Sequence, residues 1–126
     1  MKGKNIAFCI FALILLSACN RKDVQVFKDM IPLQNAIAKK YKATDIRLAT
    51  WNGNNLTVSF INSSFNDLTD REKQLKAAEI ARFVNSHYLS IKYIQSIFIS
   101  FVIYKNYVLF DYTNSLHSYL FNTSNL

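Results

Sequence analysis

The 126-residue chain offers few groups for chemistry: two cysteines, two histidines and eight acidic side chains. Nucleophilic catalysis needs a hydroxyl or thiol held beside a base. The bases available are His87 and His117. His117 has Ser115 and Ser118 nearby, but adjacent residues of a strand point to opposite faces, which spoils a Ser118–His117 pair. Paired carboxylates for glycoside hydrolysis would have to come from Asp67, Asp70, Glu72, Glu79 or Asp111. The first three cluster where a helix is expected to begin, and capping accounts for them. Two isolated histidines with no acidic motif beside them make a poor metal site. The expectation is therefore no catalytic residue, no metal and no cofactor: a chain that is not an enzyme.

The cysteines have a different logic. Met1-Lys2-Gly3-Lys4 is a short positive segment, residues 6–16 are an apolar run, and Ser17-Ala18 are small residues before Cys19. This is the plan of a secretory signal peptide, and the run is too short to span a bilayer. Leu16-Ser17-Ala18-Cys19 resembles the lipobox of bacterial lipoproteins. The resemblance implies that residues 1–18 are a signal peptide, that Cys19 is acylated as the first mature residue, and that residues 19–23 are a lipidated start and short tether. A bacterial envelope address follows from it. Asn20 in place of an acidic residue favours the outer membrane, facing the periplasm. Cys9 would leave with the signal, so no thiol remains for a disulfide or a metal site.

Residues 24–126 suit one small domain. Removal of Lys2 and Lys4 lowers the formal charge from +7 to +5. The bases are interleaved with acids, as in Asp70-Arg71-Glu72-Lys73, so a weak attraction to anionic headgroups is expected rather than nucleic-acid binding. Only Gly53 and Pro32 remain of the glycines and prolines, which excludes a phosphate-cradling loop and a dinucleotide fingerprint.

The elements that would position these groups are read from periodicity. Phe27, Met30, Ile31, Gln34, Ile37, Ala38 and Tyr41 recur at helical spacing. Pro32 predicts a kink, or a helix that begins near it. Residues 46–51 and 55–62 alternate with period two around Asn52-Gly53-Asn54. Matching apolar faces selects a three-residue loop that pairs Trp51 with Asn55 and Leu48 with Val58, with Asn54 or Gly53 left-handed. Thr69-Asp70-Arg71-Glu72 reads as a capping box. Behind it Ala77, Ile80, Ala81, Val84 and Tyr88 form one helical stripe. The last segment predicts a hairpin turning at Lys105-Asn106, with Ile99, Phe101, Ile103, Val108, Phe110 and Tyr112 on its core face. Residues 116–121 either extend the last strand or form a fifth.

The expected fold is α+β, in the order αββαββ: an antiparallel β-sheet of four or five strands with two helices on one face. Leu56, Val58 and Phe60 align with Val108, Phe110 and Tyr112 at one constant offset, which duplication of an αββ unit or chance alternation would both produce.

The same parity sends Trp51, Phe98, Val102, Tyr104, Tyr107 and Leu109 to the other sheet face. A solvated face should be polar throughout, and this one is rich in aromatics. These six residues are the candidate partner-binding site, for an envelope protein or a second copy of the chain. A face covered by the chain's own residues 116–126 is the competing reading. A carrier holding a small apolar ligand between sheet and helices is the alternative function, and a hydrolase ranks last.

Overall fold

The computed structural model describes residues 21–106 and 111–126. Residues 1–18, Cys19, Tyr107, Val108, Leu109 and Phe110 lie outside the described residues.

Helix α1 (Arg21–Tyr41) buries Val26, Asp29, Met30, Leu33 and Ile37. That spacing keeps one face on the sheet. It differs from the expected stripe, because Phe27 and Ile31 are exposed. Apolar residues cover a wide arc of this helix, and Val26 and Leu33 lie on the side that packing selects. The helix also runs uninterrupted through Pro32, contrary to the expected kink or late start. Pro32 and Lys28 both face solvent, so water can satisfy the Lys28 carbonyl that the missing Pro32 amide leaves free.

Strands β1 (Ile46–Trp51) and β2 (Asn55–Ile61) form the expected hairpin. Trp51 pairs with Asn55 and Leu48 with Val58. Asn52 and Gly53 take the left-handed region, at φ 54° and 71°, where glycine and asparagine are at least cost. Helix α2 (Asp70–His87) starts on the expected box: Thr69 caps it, and the Glu72 side chain accepts from the Thr69 amide at 2.9 Å. Its buried stripe includes Ala77, Ile80, Ala81 and Val84, with Tyr88 just beyond its end.

Strands β3 (Ser96–Asn106) and β4 (Asp111–Asn122) complete a four-stranded sheet in the order β1-β2-β3-β4. The sheet is mixed, which corrects the antiparallel expectation. β2 and β3 run parallel, with Val58 opposite Ile99 and Phe60 opposite Phe101. Parallel neighbours need a crossover, and the segment carrying α2 supplies it.

The second hairpin also departs from expectation. Asn106 pairs with Asp111, so the chain does not turn tightly at Lys105-Asn106. Ile99 pairs with Tyr119, Phe101 with His117 and Ile103 with Asn114. Residues 116–121 belong to β4 and are not a fifth strand. A register shift falls between Phe101 and Val102, opposite the step from His117 to Ser115, so Leu116 is the extra residue of a bulge.

One hydrophobic core lies between helices and sheet. It joins Val26, Leu33 and Ile37 of α1, Ile80 and Val84 of α2, Leu56, Val58 and Phe60 of β2, and Ile97, Ile99 and Phe101 of β3. Both helices therefore lie on one face. That geometry argues against a duplicated αββ unit. Matching β1 to β3 and β2 to β4 reverses strand direction, and a rotation doing so would carry the second helix to the opposite face.

Candidate functional site

The face of the sheet turned away from the helices is built by the outward positions of all four strands. Trp51 stands at the hairpin end of β1 and is exposed. Its ring lies 5.4 Å from that of Phe98 on β3. At the other end the Arg47 guanidinium sits 5.8 Å above the Tyr104 ring, a cation–π contact. Arg47 also reaches Asp45 at 3.5 Å. Between these aromatic contacts the Ser100 and Ser118 hydroxyls meet at 2.9 Å across β3 and β4.

Tyr104 is held by its backbone. Asn62, the residue just past the end of β2, has φ 47°. Its side-chain amide donates to the Tyr104 carbonyl at 2.8 Å, and its carbonyl oxygen accepts from the Tyr104 amide at 2.9 Å. The pair imitates one more rung of the β2–β3 ladder, where the main chain of β2 has already turned away.

Four of the six expected surface residues can be placed. Trp51 is exposed, and Phe98 and Tyr104 are half-buried. Val102 is buried, which corrects its expected exposure. It sits in a central strand directly beside Ile61, itself buried. Tyr107 and Leu109 lie outside the described residues, as does Cys19. The chain's last residues do not fold over this face. Residues 111–122 join the sheet as its edge strand, and Leu126 packs against the core. Among the described residues, neither helix covers this face.

The histidines stand near opposite ends of α2. His87 stacks on Phe83, with ring centroids 3.9 Å apart, and its Nδ1 lies 2.9 Å from the Phe83 carbonyl. His117 Nε2 lies 3.3 Å from Asp70 Oδ1, a contact between β4 and the first turn of α2 that sequence spacing did not suggest. Glu72 is engaged in the cap, and Glu79 binds Lys76 at 2.6 Å. Among the described residues, no three His, Cys, Asp or Glu side chains are grouped to hold a metal ion.

A buried polar cluster at Asp29 and Ser90 has no counterpart among the sequence expectations. Asp29, on the core face of α1, accepts from the Ser90 hydroxyl at 2.5 Å and from the Gln25 amide at 2.8 Å. The Ser90 hydrogen bond, then that of Gln25, holds its pKa below the ordinary 3.8, against the opposing effect of burial. Beside it the Tyr88 hydroxyl donates to the Val26 carbonyl at 2.7 Å. Burial, aided by the Asp29 carboxylate, pushes the Tyr88 pKa up to about 12. The signal was available: a carboxylate in step with Val26, Met30 and Leu33 must find partners.

No helix among the described residues is long and apolar enough to cross a membrane. No protein-family model matches the chain, and neither the curated proteins nor the solved structures contain a significant match to it.

Proposed function

We propose that this chain is a bacterial envelope lipoprotein, anchored through Cys19, that acts without catalysis by binding a protein partner through the outer face of its sheet. The anchor rests on the ordered signal-peptide plan and the lipobox resemblance at Leu16-Ser17-Ala18-Cys19. The binding role rests on one observation: a sheet face carrying Trp51, Phe98, Tyr104 and Arg47 with no described element packed over it. Aromatic and arginine side chains are the residue types favoured where proteins meet. The Asn62 clamp fixes Tyr104 at the backbone, so its side chain is presented at little cost in backbone order.

The test places a photo-crosslinking amino acid at Phe98, and as a control at Gln74, which is exposed on α2. In living cells, adducts from position 98 and none from 74 support the reading. Adducts from neither position, or from 74 alone, overturn it. Phe98→Ala with Tyr104→Ala should weaken the captured association by about 2 kcal/mol, the usual cost of truncating anchor residues, with the thermal melt nearly unchanged. Separately, Cys19→Ser should release the protein from the membrane fraction or stall its processing. An unchanged mass and fractionation would remove the anchor from the proposal.

A further inference from the structure

We infer that the first half of α1, together with Trp51, is a second surface, which lies on anionic phospholipid. This rests on the anchor part of the proposed function and adds an orientation to it. Val24, Phe27 and Ile31 stand one helical turn apart on a single flank of α1 and are 52%, 60% and 66% exposed. They are outside the core, although the helix has a full core face of its own. α1 lies along edge strand β1: the Gln34 amide donates to the Ile46 carbonyl at 2.7 Å. A cleft between the first turns of α1 and the β1–β2 turn is lined by Asp23, Val26, Phe27 and Trp51. Trp51, 45% exposed, thus joins Phe27 at the hairpin end of the molecule.

Two observations select lipid as the occupant. The first is where the chain leads. Cys19 is two residues before Arg21, the first residue described in α1. Two residues reach about 7 Å at full extension. Acyl chains on Cys19 would therefore hold the start of α1 at the headgroup layer, which is the end where the patch lies. The second is charge. Arg21 and Lys28 are exposed on the flank beyond the apolar stripe, with Lys22 nearby and Asp23 as the acid among them. An apolar stripe beside basic residues is the pattern of helices that lie in the plane of a membrane surface, and tryptophan and phenylalanine favour that layer.

Trp51 is the sole tryptophan, so tryptophan fluorescence comes from one position, where this patch meets the edge of the sheet face. The experiment uses the full chain as the cell processes it, purified in detergent and reconstituted on phosphatidylcholine vesicles with or without phosphatidylglycerol. The vesicles carry lipids brominated near the headgroup. The expected result is strong Trp51 quenching on phosphatidylglycerol-containing vesicles, weaker quenching on phosphatidylcholine alone, and relief by salt. Phe27→Glu with Ile31→Glu should roughly halve the quenching while the anchor keeps the protein on the vesicle. Both positions are solvent-facing. Should that pair disturb the melt, Arg21→Glu with Lys28→Glu tests the same contact through charge. Quenching that is equal on both vesicle types and insensitive to the folded variants overturns the inference. So does a Trp51 that remains open to aqueous acrylamide on the vesicle, the outcome expected if the patch instead meets a protein or the chain's own leader. The mass of the purified protein reports acylation of Cys19 independently. An unacylated protein whose Trp51 is still quenched on added vesicles would sink the anchor and keep the surface, whereas an acylated protein without quenching would do the reverse.

Discussion

Asp29 is a carboxylate on the core face of a helix, and two side-chain hydrogen bonds to its charged form keep it there. The Ser90 hydroxyl and Gln25 amide lower its folded pKa below 3.8. A depressed carboxylate contributes stability that is present above the unfolded pKa and lost as pH falls through the folded value. Asp29→Asn should therefore melt at a lower temperature than the parent at pH 7, and the gap should narrow as pH falls below about 4. Thermal unfolding of both proteins at pH 7 and pH 3 checks this, and a gap of constant size would show that the charge is not what the cluster needs. At this scale the sequence was legible where a residue acts on its neighbours, as Thr69 and Glu72 do. It was illegible where partners come from distant segments. Ser90 lies far along the chain from Asp29, and Asp70 from His117, so no local spacing announces either contact.

Among the elements, α2 was the most legible because its start is written in four consecutive residues. Thr69 Oγ1 accepts from the Glu72 amide at 3.4 Å and donates to the Glu72 carboxylate at 2.7 Å. Thr69→Ala removes both and should destabilise the fold by about 1 kcal/mol. Thr69→Ser, which keeps the hydroxyl, should recover most of that loss. Urea midpoints at unchanged slope would measure it, and an alanine variant as stable as the parent would mean that the cap is redundant. The first hairpin was equally legible, since apolar parity and Asn52-Gly53 pointed to one loop length. The second was not. Alternation records only which residues share a face, so a two-residue turn at Lys105-Asn106 satisfied it well. The bulge at Leu116 then switched the parity of β4, which no alternation rule anticipates. In α1 the apolar arc is wide enough to permit two phases, and helical spacing alone does not distinguish the exposed flank of Phe27 and Ile31 from the core face.

The order of strands decides which parts of the whole molecule are hardest to open. Two hairpins joined by a helix can be assembled in more than one way. A purely antiparallel sheet could set β1 against β4 and leave β2 and β3 at the edges. The observed order does the opposite, placing β2 and β3 side by side and parallel at the centre. A strand–helix–strand segment favours this outcome, because a helical crossover returns the chain in the same direction. That signal was present in the sequence beside the stronger pull of two local hairpins. The arrangement has a measurable consequence. Amides of central strands are paired on both sides and exchange through large openings, whereas edge strands can fray. Leu56, Val58 and Phe60 on β2 and Ile97, Ile99 and Phe101 on β3 are all fully buried. On β1 only Ile46 is buried, and alternate positions face solvent. Hydrogen exchange read by mass spectrometry should therefore find peptides from β2 and β3 protected longest, with those from β1 and β4 exchanging earlier. α2 packs on central β3 as well as on β4 and fully buries Ala77, Ile80, Ala81 and Val84, so its peptides should exchange later than those of β1. Protection that is highest in β1 and β4 would mean that the hairpins meet the other way round. The outer face would then present a different set of side chains, and Trp51 would leave the edge on which both proposed surfaces depend.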